Sequence, residues 1–413
     1  MTHDLSRRTQ DPVAAARAVV GWYGDPTISW SVLLQAGLAA CVDADAVGER
    51  LAGLVAGYPH LGAQPVVLAT ADSSWPAVCA SFADEPYASG APLVRAAVGT
   101  ESGLLLVAAH HGATDGLGLL AVLAAALGAD LTSQARGIAG RASTSHFLAA
   151  AARRLAEALA APPARIAPSV RRDTVTRPAD SGNPGIPESG DVDAPAPARP
   201  AGDQAASDRA ASGRATGDQG DVLVCTELAA APVGSAALTA ATNRAAQEWN
   251  ARHRTPYRRA VAGLGVSRRD GNRATPVADS AFLRLRLPRS ADTKAVRRLI
   301  AGQAPEPDFP RSRSAVPAVL TRLLASRLGS TFLASNLGVV HGPHELRSLA
   351  FYPTASGRSG IAVGAATAGP TTTITVRARR ARFDRAGADE LLAVIVAHLG
   401  VPPSTTITPL VGL

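Results

Sequence analysis

From Pro162 to Asp221 the chain carries no Leu, Phe, Tyr, Trp, Met or Cys. Pro, Ala, Gly, Asp, Ser and Arg fill that stretch, which leaves too little apolar area to offset the entropy of ordering it. One hydrophobic core running through the whole chain is therefore excluded. The fold must come from two blocks, residues 1–161 and 222–413, with 162–221 expected as a disordered linker between them. Each block is long enough to hold a core of its own.

Both blocks mix strands with helices. In the first, Ile28 to Leu38 reads as a strand, and Asp43 or Asp45 caps a helix to about Tyr58 with Val47, Leu51, Leu54 and Val55 on one face. Pro65 to Ala71 and Leu93 to Val98 read as strands, and Gly103 to Ala109 as a buried one. Helices are expected at Leu117 to Leu127 and from Ser143 or Thr144 to Ala160. In the second block Pro232 opens a helix to about Arg254. Strands follow at Ala260 to Arg268 and Ala281 to Leu287, then helices at Asp292 to Gly302 and Ser314 to Leu328. Thr331 to Ala334, Leu349 to Pro353, Ile361 to Thr367 and Thr371 to Ala381 read as strands, and Arg385 to Leu399 as the last helix. Two similar α/β sandwiches side by side fit this order.

The balance of charge is +8, and of 41 basic residues only Lys294 is a lysine. The arginines come as scattered pairs, and Arg377 to Arg385 alternates like the solvated face of a strand. No helix-turn-helix, zinc-finger or aromatic RNA-binding pattern accompanies them, so a nucleic-acid partner is not expected. The positive field suits an anionic partner instead, such as the phosphates of coenzyme A or an acidic carrier protein. Cys41, Cys79 and Cys225 form no Cys-x-x-Cys pair and are too few for a disulfide framework. The start of the chain lacks a signal-peptide core, and His110, His111 and Asp115 interrupt the longest apolar run, so no membrane span and a cytoplasmic location are expected.

The chemistry-bearing stretch is His110-His111-Gly-Ala-Thr-Asp115-Gly116, placed where a buried strand gives way to a helix. Neighbouring residues at a strand end point to opposite faces, so the two imidazoles cannot share one site. One faces a cavity and the other packs. That geometry and the lack of a His-Glu-x-x-His or Cys-rich partner argue against a metal. No Gly-x-Ser-x-Gly elbow is present, so a covalent serine intermediate is not expected. Asn336 either orients substrate or caps the turn that follows it. His341 and His344 read as loop residues, and Trp22, Trp30, Trp75 and Trp249 as packing.

The His-His-x-x-x-Asp-Gly pattern resembles the superfamily of condensation domains, chloramphenicol acetyltransferase-like enzymes and polyketide-associated acyltransferases. Tyr58-Pro59-His60-Leu61 and Ala91-Pro92-Leu93-Val94-Arg95 are similar to segments that precede the motif there. Ser335-Asn336-Leu337-Gly338 looks like a stretch of related acyltransferases and departs from the Asp-Phe-Gly-Trp-Gly form of plant relatives. The resemblance implies an α/β fold of two chloramphenicol acetyltransferase-like sandwich lobes forming a V around a central tunnel. It implies His111 as the catalytic general base, with His110, Asp115 and Gly116 supporting the site. Asp115 would be structural and pair with an arginine of the second half, either Arg268 or Arg269. Ser335 and Asn336 are candidates for substrate or oxyanion contacts. The implied reaction moves an acyl group from a coenzyme A or carrier-protein phosphopantetheine thioester to an alcohol or amine. No permanently bound cofactor is expected. A catalytically silent module that grips a carrier protein or partner enzyme is the alternative.

Overall fold

The computed structural model describes residues 11–20, 28–135, 137–138, 141–143, 146–170, 220–229, 232–269, 274–307 and 329–400. In chain order these form α1 (Pro12–Val20), β1 (Ser31–Leu38), α2 (Ala44–Gly57), β2 (Val67–Thr70), α3 (Trp75–Asp84), β3 (Val94–Gly99), β4 (Leu104–His110), α4 (Gly116–Leu127), β5 (Thr132–Ser133) and α5 (Phe147–Ala160). The second half adds β6 (Asp221–Leu228), α6 (Ser235–Arg252), β7 (Ala260–Ser267), β8 (Ser280–Leu287), α7 (Thr293–Gly302), β9 (Phe332–His341), β10 (Leu346–Tyr352), β11 (Ile361–Ala368), β12 (Thr371–Arg379) and α8 (Arg385–Leu399). The expected linker residues 171–219 and the expected helix at Ser314 to Leu328 lie outside the described residues.

The first sheet has the order β10-β1-β4-β3-β2. The apolar run of β4 is explained by burial on both faces. Leu105, Val107 and Ala109 pack with Leu119, Leu120 and Leu123 of α4, while Leu104, Leu106 and Ala108 pack with Trp75, Cys79 and Phe82 of α3. The second sheet runs β6-β12-β11-β9-β7-β8, with β5 paired to β9. One face of it, carrying Ala262, Leu264, Leu283, Phe332 and Ala334, is covered by α6 and α8. The opposite face turns toward the first lobe.

Two boundaries differ from expectation. Residues 164–167, which composition assigns to the linker, belong instead to the second lobe, because Ala164, Ile166 and Ala167 lie in its core. Asn250 Oδ1 accepts the Ala167 N–H at 2.9 Å and Trp249 Nε1 donates to the Ala167 carbonyl at 2.9 Å, so that short stretch is pinned by hydrogen bonds that its composition does not announce. The division at residue 222 is also not clean. Strand β10 leaves the second half and adds to the first sheet beside β1, with Leu34 opposite Phe351 and Gln35 opposite Ala350. In return β5 of the first half pairs with β9. Each lobe thus holds a strand of the other, and main-chain hydrogen bonds tie them.

A third correction concerns the arginine-rich strand. Arg377 is fully buried rather than solvated. Its Nε donates to Asp221 Oδ2 at 2.6 Å, while Nη1 and Nη2 donate to the carbonyls of Ser31 and Ala83 at 2.5 and 3.0 Å. Period-2 alternation identifies a face, but a second sheet rather than water covers this one.

Candidate active site

β4 ends at His110 and α4 begins at Gly116, so the intervening loop is anchored at both ends by buried elements. The two imidazoles diverge. His110 is buried, its Nδ1 accepts the Gly112 N–H at 3.0 Å, and its ring meets Tyr87 edge-on at 5.2 Å between centroids. Burial above all, with help from His111 and nearby arginines, pulls its pKa down to about 4. It remains neutral and serves packing.

His111 lines a cavity of about 440 Å³ between the lobes. Its backbone N–H donates to the Trp30 carbonyl at 2.7 Å. Trp30 adopts a left-handed conformation, with φ of 58°, immediately before β1. A non-glycine residue in that region is strained, and here the strain aims a carbonyl at the motif. His111 Nδ1 lies 3.3 Å from the Thr114 carbonyl oxygen. A carbonyl only accepts, so this contact places the ring proton on Nδ1 and leaves the Nε2 lone pair unclaimed by any described residue. Burial lowers the His111 pKa below that of an ordinary histidine, opposed by the Thr114 carbonyl and the Asp115 carboxylate. The ring is therefore neutral near pH 7.

Asp115 does not touch either imidazole among the described residues. It caps α4 by accepting the Gly118 N–H at 2.8 Å, and it accepts the Asp279 N–H at 2.8 Å. Arg269 Nη1 donates to both carboxylate oxygens, at 3.0 and 2.8 Å. Of the two arginines expected here, Arg269 supplies the guanidinium, and the Arg268 backbone N–H donates to the Asp279 carbonyl. The Asp115–Arg269 pair is buried and joins the two halves, so it holds the loop's shape. Gly116 has a packing reason: a Cβ there would sit 2.8 Å from the Phe351 ring. Gly118 is equally constrained, 2.7 Å from the Val277 carbonyl oxygen by the same measure.

Ser335 and Asn336 line the same cavity. The Ser-Asn-Leu-Gly stretch is not a turn after a short strand, as its sequence indicates. It is a bulge inside β9, where the pairing with β11 slips between Ala365 and Thr367. Asn336 Oδ1 accepts the Gly338 N–H at 2.7 Å and its Nδ2 donates to the Val233 carbonyl at 2.6 Å. Gly338, at φ of 69°, gives the bulge its left-handed residue. Asn336 thus stabilises the bulge in its own strand.

Sequence reasoning did not single out Trp30, Thr114 or Thr354 for the site. Thr354 lines the cavity and its Oγ1 donates to the Ser31 carbonyl at 3.1 Å. Thr114 acts through its backbone carbonyl, and no residue-type signal betrays that. Among the described residues no group of three His, Cys, Asp or Glu side chains is placed to hold a metal, and no helix is long and apolar enough to cross a membrane.

No family profile matches the sequence, and no curated protein matches it. Solved structures do. A variant of the starter condensation domain of rhizomide synthetase in complex with C8-CoA aligns over 94% of this chain and 93% of its own, at a TM-score of 0.51 and 14% identity. The epimerization domain from the third module of tyrocidine synthetase B aligns over 92% and 95%, at 0.50 and 13%. The chain therefore has the condensation-domain fold, an α/β architecture of two lobes that each pair a sheet with helices.

Proposed function

We propose that this chain is an acyltransferase, moving an acyl group from a coenzyme A or carrier-protein thioester to a hydroxyl or amine. The carrying observation is a neutral His111 on a cavity between two lobes, its Nδ1 held by the Thr114 carbonyl and its Nε2 unclaimed. A variant of a starter condensation domain of the same fold holds C8-CoA, which supports a thioester donor here.

In the proposed reaction Nε2 takes the proton of the acceptor O–H or N–H as that atom attacks the thioester carbonyl. The new C–O or C–N bond forms and the C–S bond breaks. The imidazolium then returns its proton to the leaving thiolate, so His111 ends as it began. General-base help of this kind contributes about 10²–10⁴-fold. Asp115 takes no proton, because its carboxylate is committed to Arg269 and two backbone N–H groups. Its role is to hold the loop on which the base stands. Among the described residues the cavity's remaining charged lining is this one compensated pair, which favours uncharged substrate parts beside it.

The test is acceptor-dependent release of free thiol from octanoyl-coenzyme A, screened against a panel of alcohols and amines. His111→Ala should lower the rate by at least 10²-fold with an unchanged melting profile. A folded variant that turns over at the parent rate removes the mechanism.

A further inference from the structure

The cavity wall formed by the second sheet holds a gap at one strand position. In the register of β7, β8 and β9, Gly265 stands between Phe282 on one side and Ser335 on the other. All three line the cavity. Phe282 presents its ring to His111, 6.5 Å between centroids and nearly perpendicular. A central strand ordinarily favours a side chain at such a position, and glycine inside a strand marks a place where something else approaches the backbone. Nothing in the backbone conformation requires glycine, since Gly265 is absent from the residues of positive φ. Packing restrains a side chain on one side alone: a Cβ at Gly265 would press on the Ser335 hydroxyl at 3.2 Å, which must rotate aside, and would meet Ser335 Cβ at 3.7 Å and the Ala334 carbonyl oxygen at 4.0 Å in ordinary contact.

The next row along the same face repeats the glycine and then closes the gap. Gly263 stands between Arg284 and Leu333. A Cβ at Gly263 would lie 3.1 Å from the Ser330 hydroxyl and 3.3 Å from Leu333 Cδ1, so these two side chains lean across the missing one. Beyond it Arg284 is bonded to Glu157 at 3.2 Å. The gap is thus apolar on its Phe282 side and starts beside the imidazole. Leu333, the Ser330 hydroxyl and an ion pair stop it about one strand row, ~7 Å, further on.

We infer that this gap receives the acyl chain of the donor, and that Gly265 and Leu333 set its length. The ligand class is a thioester of an unbranched, uncharged, medium-length fatty acyl group. The inference rests on the acyl-transfer reading and adds the substrate class to it. Each methylene that enters an apolar slot should raise affinity about four-fold, and the rise should stop where Leu333 stands.

The experiment is calorimetric titration of the full chain with butyryl-, octanoyl- and dodecanoyl-coenzyme A, and with coenzyme A alone. The parent should bind the octanoyl thioester at least tenfold more tightly than the butyryl one, with no further gain at dodecanoyl. In Gly265→Val the octanoyl-to-butyryl ratio should collapse at least tenfold. In Leu333→Ala the gain should extend to dodecanoyl. Valine suits a strand, so Gly265→Val is expected to fold, and Gly265→Ala supplies an intermediate ratio if it does not. Parallel length profiles in the parent and both variants would overturn the inference, as would no binding of any thioester. The profile does not depend on the base, so it should survive in His111→Ala. Loss of transfer with an intact profile supports both readings. An intact profile with unimpaired transfer sinks His111 catalysis alone, and a flat profile sinks the slot alone.

Discussion

Two buried Asp–Arg pairs tie the lobes together, and they do so for different ends. At the cavity, Asp115 comes from the first lobe and Arg269 from the second, and the carboxylate is further satisfied by two backbone N–H groups. At the back of the sheets, Asp221 and Arg377 both belong to the second lobe, and the guanidinium reaches across to the carbonyls of Ser31 and Ala83. The first pair orients a loop bearing the candidate base. The second locks sheet to sheet, and its guanidinium itself is not among the cavity-lining groups. Similar chemistry therefore separates into a site function and a stability function, according to what the fourth partner is.

The largest effect should come from the second pair. Arg377→Met leaves Asp221 with only Arg379 at 3.3 Å and takes one donor each from the Ser31 and Ala83 carbonyls, which keep the hydroxyls of Thr354 and Ser29. A loss of ~3–5 kcal/mol is expected in urea denaturation, with little change in the turnover of the molecules that remain folded. Arg269→Met takes a donor from the Thr275 and Val277 carbonyls but should cost less stability, ~2–3 kcal/mol, because Asp115 keeps the Gly118 and Asp279 N–H groups. Its turnover per folded molecule should nevertheless fall more than tenfold. If the two variants lose activity only in proportion to stability, the distinction between the pairs is wrong.

A smaller effect sharpens the comparison. His110 stands between the pairs: Tyr87 packs on its ring, and the Tyr87 hydroxyl lies 3.0 Å from Ser31 Oγ. Its pKa is about 4 when folded and ordinary when unfolded. The unfolded chain therefore binds more protons below the ordinary value, and stability is present above that value and lost as pH falls. The slope should be about 1 kcal/mol between pH 6.5 and 5.5 for this one group. His110→Gln should remove that contribution in denaturation curves at the two pH values.

How much of this was legible depends on range. The motif loop is a local strand–loop–helix signal, so it reads directly from residues 104–127. The cap of α2 was narrowed to Asp43 or Asp45 for the same reason, and Asp43 fills it. Helices α1 and α3 escaped because their apolar faces are short and flanked by Pro12 and Pro76. Yet Ala16 of α1 closes over the motif, with its carbonyl 2.0 Å from where a Cβ on Gly112 would stand. The exchange of β10 and β5 between lobes rests on pairings hundreds of residues apart, which no window of sequence contains. Arg377 was misjudged for a related reason, since alternation does not say what will cover a face. The slot at Gly265 needed three strands in register before one missing side chain became a space.

The central claim is a neutral imidazole acting as base, and its pH signature tests it most directly. Burial lowers the His111 pKa, so the base form persists below the ordinary histidine value and is lost as pH falls through the lowered one. The acyl-transfer kcat/KM should therefore stay level down to about pH 6.5 and decline only below it. Residual transfer in His111→Ala should lack that decline. A rate that is flat through the acid range in the parent, or an acid limb that persists unchanged in the variant, would contradict the account.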